Sequence, residues 1–185
     1  DAIDKVVSGG VKDPETLDGY QVTKFVPFDP VGKRTEGQIT DAEGKALRFT
    51  KGAPQVITEL CKLDTDTADK ANKTVADLAA RGTRALGVAE STDDGKSWRF
   101  LGILPMFDPP RDDSKDTIQQ AKEHGLRVKM VTGDDVAIGN EISEQLGMGS
   151  HLIAAADMFT KDMDMDHLPA NIEECVDKAD GFGRV

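Results

Sequence analysis

The sequence predicts an α+β protein in two parts. Residues 1–105 read as an antiparallel sheet flanked by helices, and residues 106–185 as an incomplete α/β piece. Three observations predict this. Strand patterns in the first hundred residues are separated by short turn-forming clusters, which join antiparallel neighbours. Beyond them helix and strand patterns alternate, the mark of a parallel sheet. Between the two textures stands Asp108-Pro109-Pro110-Arg111, where two prolines stiffen the chain and favour an extended path before a helix.

The elements follow in order. Tyr20–Phe28 has strand character through Val22, Phe25, Val26 and Phe28, and reads as interrupted at Pro27 and stopped by Asp29-Pro30. Thr35–Thr40 and Ala46–Lys51 form a hairpin around Asp41-Ala42-Glu43-Gly44. Pro54–Leu63 is a short helix. Ala68, Ala71, Val75, Leu78 and Ala79 recur at helical spacing up to the stop signal Gly82. Arg84–Ala89 and Trp98–Leu104 are strands joined by a polar turn over Ser91–Lys96. After the prolines come helix Asp112–His124, strand Arg127–Val131, helix Asp135–Leu146, short strand Leu152–Ala154 and helix Ala170–Ala179. Two strands are too few for a self-sufficient parallel layer, so the second part is expected to be truncated or completed from elsewhere.

Composition narrows the function. A chain of 185 residues with 38% hydrophobic and 31% charged residues belongs with folded globular proteins. A net charge of −11 repels nucleic acid and anionic lipid, so no nucleic-acid partner is expected. An anionic ligand must be held by a few local cations and backbone N–H groups. No apolar run approaches the roughly 20 residues that span a bilayer, and no signal peptide is seen. Cys61 and Cys175 have no metal-ligand spacing and read as free thiols.

Several motifs are candidates for chemistry. Val128–Asp134 is a buried strand ending in Thr132-Gly133-Asp134 and turning directly into a helix. Ligands of open α/β sheets lie beyond the carboxyl ends of strands, and a helix N-terminus there offers N–H groups to phosphate. The alternative is that Asp134 or Asp135 merely caps the helix. Lys51-Gly52-Ala53-Pro54 sets a lysine at a strand end before a glycine and a helix start, a compact anion corner or a plain helix start. Pro27–Arg34 holds Phe28 between prolines beside Lys33 and Arg34, an arrangement able to stack a base and meet phosphates, or a core phenylalanine with surface cations. Arg84 opens a strand and can fork onto a phosphate. Asp162, Asp164, Asp166 and His167 alternate with other residues, but they lack the glycine and closing glutamate of a calcium loop and read as a solvated acidic segment. His124, His151 and His167 are scattered, with no hydrolase triad or zinc spacing.

Taken in order, Phe28 with Lys33, then Lys51-Gly52-Ala53-Pro54, Arg84, Asp108-Pro109-Pro110-Arg111 and Thr132-Gly133-Asp134 resemble the cytoplasmic region of P-type ATPases. The resemblance runs over nearly the whole chain. Pro27–Arg34, Leu104–Asp113, Lys129–Asp134 and Asp180–Val185 look most like the plasma-membrane proton-pump branch. It implies a nucleotide-binding domain followed by part of a haloacid-dehalogenase-like phosphorylation domain. It implies that ATP, with its Mg²⁺, is the ligand. Phe28 matches the aromatic that stacks on adenine, and Lys51, beside Gly52, the lysine of the adenine pocket. Lys33 and Arg84 match cations near the phosphates, Asp108 and Arg111 the interdomain hinge, and Thr132, Gly133 and Asp134 the loop facing the γ-phosphate. The implied partners are the rest of the phosphorylation domain, the actuator domain and the membrane helices of a plasma-membrane pump, with this piece on the cytoplasmic side.

The departures are specific. The family's phosphoacceptor motif Asp-Lys-Thr-Gly-Thr is absent, as is its later Gly-Val-Asn-Asp metal motif, and Gln55 stands where an acidic residue is frequent. The chain is therefore expected to bind ATP without sustained turnover and to hold no catalytic residue or resident metal of its own. A stand-alone haloacid-dehalogenase-type phosphatase and a non-catalytic interaction module are the rival readings.

Overall fold

The computed structural model describes residues 2–158 and 170–185. It divides into two compact units, Asp1–Leu78 with Arg84–Met106, and Ala79–Thr83 with Phe107–Val185. The acidic segment containing Asp162, Asp164, Asp166 and His167 lies outside the described residues.

The first unit opens with helix α1 (Ala2–Gly9) and a 3-10 turn, Pro14–Leu17, neither anticipated from the pattern. A meander follows: β1 (Gln21–Asp29), β2 (Arg34–Thr40), β3 (Ala46–Gly52), then helices α2 (Pro54–Leu60) and α3 (Thr65–Ala79), then β4 (Arg84–Ser91) and β5 (Arg99–Met106). The sheet is antiparallel in the order β1-β2-β3-β4-β5.

Pro27 does not interrupt β1, as the sequence suggests; the strand runs through it. The reason is position. β1 is an outer strand, exposed along its whole length, so a missing N–H is tolerated there. The ladder absorbs the proline in a bulge, with Val26 paired to Glu36 and Asp29 to Arg34, so that Pro27 and Phe28 together oppose Thr35. α2 ends at Leu60 rather than Leu63, with Cys61 as its C-cap.

Register divides the side chains between two faces. On the first lie Arg34, Glu36, Gln38, Arg48, Thr50, Gly52, Gly87, Ala89 and Ser91. α2 covers one end of this face, and its Ile57, fully buried, sits on Gly87. The other end carries a polar network. Glu36, only 9% exposed, accepts hydrogen bonds from Arg34 (3.1 Å) and Arg48 (3.0 Å). The Arg34 guanidinium also lies 5.8 Å from the Trp98 ring centroid, within cation–π reach. Burial pushes the Glu36 carboxyl up, but hydrogen bonds from Arg34, Gln38 and Arg48 outweigh it and hold the group below its usual range.

In the second unit, helix α4 (Ser114–Glu123) is followed by β6 (Met130–Val131), α5 (Val136–Gln145), β7 (Leu152–Ala154), α6 (Ala155–Met158), α7 (Ala170–Lys178) and β8 (Gly181–Gly183). β6 is shorter than the strand expected over Arg127–Val131. Among the described residues the parallel sheet has three strands, not two, in the order β6-β8-β7. The third was hidden because two of its three residues are glycines, which are depleted in strands. Its glycines are required by packing: a Cβ on Gly181 would lie 2.7 Å from the Met130 Cβ, and one on Gly183 3.0 Å from Val136 Cγ2. Asp180 ties the three strands together. Its carbonyl accepts from the Met130 N–H, its N–H donates to the His151 carbonyl, and its carboxylate accepts from the His151 N–H, each at 2.9 Å. Met148, Leu152, Met158, Ile172 and Ala179 form the buried apolar core.

Candidate functional site

The second face of the five-stranded sheet gathers the first group of candidates. Alternation back from Asp29, on the network face, sends Phe28 to this face beside Thr35. Thr35 pairs with Lys51, and Lys51 with Val88, so Phe28, Thr35, Lys51 and Val88 form one row across four strands. Arg84 lies on the same face of β4, two rows further toward the end of the sheet where the turn after β1 sits. Phe28 is 60% exposed, an unusual state for a phenylalanine within a strand.

Lys33 is brought to this corner by backbone chemistry. The Asp29 carboxylate accepts from the N–H groups of Val31 (3.1 Å) and Gly32 (2.7 Å), closing a tight turn. Lys33 then adopts φ 50°, the left-handed region that non-glycine residues avoid. Its carbonyl accepts from the Ala53 N–H at 3.0 Å, which docks the turn onto the Lys51-Gly52-Ala53 corner. Gly52 makes the docking possible: a Cβ there would fall 2.8 Å from the Arg34 Cα, a backbone atom that cannot step aside. Gly52, a candidate as part of the Lys51-Gly52-Ala53-Pro54 anion corner, thus has a packing reason of its own. Phe28, Lys33, Lys51 and Gly52 share one corner, and Arg84 shares the face of Phe28 and Lys51.

The second group stands at the carboxyl ends of β6 and β8. The Asp134 N–H donates to the Thr132 hydroxyl (3.1 Å), and that hydroxyl donates to the Asp134 carboxylate (3.3 Å). The N–H groups of Arg184 and Val185 donate to the carbonyls of Asp134 and Thr132, closing the loop from the β8 side. Gly133 is exposed at its tip. Asp135, not Asp134, caps α5: its carboxylate accepts from the Ala137 N–H at 3.0 Å. The Arg184 guanidinium donates to the same carboxylate, through Nε at 3.1 Å. The Ala137 hydrogen bond, then Arg184, hold the Asp135 carboxyl below its ordinary range. Arg184 was not anticipated; its position after a Gly-Phe-Gly strand end, opposite Thr-Gly-Asp, was the available signal. Asp108 and Arg111 are exposed in the link between β5 and α4.

Among the described residues no group of three or more acids, histidines or cysteines is arranged to hold a metal ion. Asp135 is engaged by its cap and by Arg184. Cys61 and Cys175 are both free thiols. No helix among the described residues is long and apolar enough to cross a membrane.

The Thr-Gly-Asp loop stands at the carboxyl edge of a parallel sheet, where open α/β sheets bind their ligands. Comparison gives the class: the family model for haloacid dehalogenase-like hydrolases matches residues 11–180, and the chain belongs to that family. At the level of individual proteins, the chain is 40% identical over 188 aligned residues to a Methanocaldococcus jannaschii protein named "Putative cation-transporting ATPase". The alignment takes in all of this chain but 23% of that relative, so the chain spans about a quarter of its length.

Proposed function

We infer that this chain is the ATP-handling cytoplasmic segment of a P-type cation-transporting ATPase. One observation carries the reading: an exposed aromatic, Phe28, and Lys51 share a row on an open sheet face, with Lys33 docked at the same corner and Arg84 further along the face. Stacking on Phe28 and charge from three cations suit a purine triphosphate, and they offset the field of a chain whose net charge is −11. The 40% identity to a protein named as a cation-transporting ATPase supports the same reading.

In it, residues 1–105 are the nucleotide-binding domain, and residues 106–185 are part of the phosphorylation domain, with Asp108 and Arg111 at the hinge. Thr132, Gly133 and Asp134 face the γ-phosphate, whose Mg²⁺ arrives with the nucleotide. Phosphoryl transfer of this kind is mostly positioning and charge neutralisation. The chain's own residues orient the base and steer the phosphates toward an aspartate on another segment of the pump. β6 is an outer strand of the described sheet and its Val131 is 64% exposed, which leaves a flank for such a segment. A proton as the transported ion rests on the likeness of Pro27–Arg34, Leu104–Asp113, Lys129–Asp134 and Asp180–Val185 to the plasma-membrane pumps.

The test is ATP titration of the 185-residue chain followed by amide chemical shifts. Shifts cluster around Phe28, Lys51 and Arg84, and Phe28→Ala and Lys51→Ala each weaken binding by roughly 1–3 kcal/mol. Adenosine responds to Phe28→Ala and hardly to Arg84→Ala. Equal losses of both ligands with both variants contradict the roles. Sustained turnover of generic phosphoesters points instead to a stand-alone phosphatase.

A further inference from the structure

The turn that carries Lys33 is built around one carboxylate. The order Asp29-Pro30-Val31-Gly32 suits a tight turn, with the acid first, a proline to preset φ and a glycine last. Asp29 Oδ1 accepts from the Val31 N–H at 3.1 Å and Oδ2 from the Gly32 N–H at 2.7 Å, while the Asp29 carbonyl accepts from the Lys33 N–H at 2.6 Å. Both carboxylate oxygens thus serve the backbone, and the acid frames the lysine's turn instead of pairing with its ammonium. Gly32 belongs to the same device. Its φ lies outside the left-handed region, so no backbone angle asks for glycine, yet an added Cβ would fall 2.8 Å from Asp29 Oδ2. A side chain there would push the carboxylate off its two donors.

The device holds a costly conformation. Lys33, at φ 50°, occupies a region where glycine or asparagine is the ordinary choice. A strained residue persists only where its surroundings over-determine it. Here they are Asp29 before the turn and Ala53 beyond it, whose N–H donates to the Lys33 carbonyl at 3.0 Å. Closing the hairpin needs no lysine, and glycine would meet the angle without strain. A lysine held there sets a cation at the corner that Phe28 and Lys51 share.

We propose that Asp29 is a positioning residue for the triphosphate: its carboxylate latches the turn that holds Lys33 in place, and Gly32 is bare to give the latch room. The proposal rests on the ATP reading above and deepens it by naming what fixes one of the three cations. It also reverses a sign. Judged by charge alone, an acid in the same turn as a phosphate-binding lysine repels a polyanion, and its removal should tighten ATP binding. As a latch the acid helps ATP to bind, and its removal weakens it.

The experiment titrates the full chain calorimetrically with ATP and with adenosine, and urea unfolding checks that each variant is folded. The variants are Asp29→Ala, Asp29→Asn, Gly32→Ala, Lys33→Ala and the combination of Asp29→Ala with Lys33→Ala. Asp29→Ala is expected to weaken ATP binding about three- to tenfold, no more than Lys33→Ala does, and to leave adenosine within about twofold. Asp29→Asn keeps one acceptor oxygen and gives a smaller loss in the same direction. Gly32→Ala keeps the negative charge and still weakens ATP binding, so it serves if an Asp29 variant folds poorly. Once Lys33 is alanine, Asp29→Ala adds less than about twofold, because the latch has no cation left to place. A merely structural role for Asp29 would leave its loss intact in that background. Tighter ATP binding in both Asp29 variants, or a change within about twofold in both Asp29→Ala and Gly32→Ala, overturns the latch. If Phe28→Ala still weakens ATP binding in that case, the ATP reading stands. Equal loss of ATP and adenosine in Asp29→Ala, or its full loss persisting without Lys33, also overturns the latch. Failure of the unaltered chain to bind ATP overturns both.

Discussion

The seat of α2 on the sheet can be tested with a pair of complementary substitutions. A methyl group added at Gly87 would lie 2.8 Å from the Ile57 Cβ, 3.1 Å from its Cγ1 and 3.2 Å from its Cγ2. Carbon atoms rest at about 3.5–4.0 Å, so the clash approaches an ångström at its closest point. Ile57 is 0% exposed and has no room to swing away, so relief requires α2 to lift. Gly87→Ala should cost about 1–3 kcal/mol, the range for overpacking. Ile57→Ala alone should cost about 2–5 kcal/mol through lost burial and a cavity. In the double variant the new methyl stands in part of the vacated space. Its cost should therefore fall below the sum of the two by about 1–3 kcal/mol. Urea unfolding measures all three, and Trp98, the single tryptophan, reports the first unit alone by fluorescence. The slope of free energy on urea must stay constant for the comparison to hold. Costs that add to within about 0.5 kcal/mol would refute the contact as the reason for glycine at this position.

Two further outcomes follow from the charged groups. Asp135→Asn retains a capping side chain and loses only an exposed ion pair with Arg184, so it should cost at most about 1 kcal/mol, whereas Asp135→Ala loses the cap as well and should cost about 1–2 kcal/mol more; equal losses by thermal unfolding would remove the cap from the account. Glu36 and Asp135 both have carboxyl pKa values held below their ordinary 4.5 and 3.8, so the unfolded chain takes up their protons first. The stability they contribute is complete above the unfolded values and is lost as pH falls through the folded ones. The urea midpoint should therefore drop on going from about pH 5 to about pH 3, and Glu36→Gln should flatten that slope; an unchanged slope in the variant would assign the acid sensitivity elsewhere.

How much of this was legible beforehand depends on the range of the interaction concerned. The hairpin of β2 and β3 and the helix over Thr65–Ala79 follow from local patterns, and the structure has them within a residue or two at most ends. Pro27 misled because the sequence does not tell whether a strand is an inner or an outer one. β8 was missed because its glycines answer to Met130 and Val136, residues far away in the chain. The same limit applies to the site. Phe28, Lys33, Lys51 and Arg84 stand out by residue type and motif. The packing reason for Gly52 does not, because it lies in the Lys33–Arg34 backbone across the sheet. Nor does local pattern reveal that a carbonyl of Lys33 meets an amide of Ala53. The choice of Asp135 over Asp134 as the cap shows only in the structure, where the Asp135 carboxylate accepts from the Ala137 N–H and the Asp134 carboxylate from the Thr132 hydroxyl.

The placement of β8 between β6 and β7 has a consequence for how the chain is made. The middle strand of the smaller sheet is the last of the three to leave the ribosome, and Asp180, which knots all three together, comes immediately before it. Until those residues emerge, β6 and β7 have no shared neighbour to hydrogen-bond with, so assembly of this layer waits for the keystone. Vectorial synthesis can bring the larger meander to completion while its companion is still an open arch.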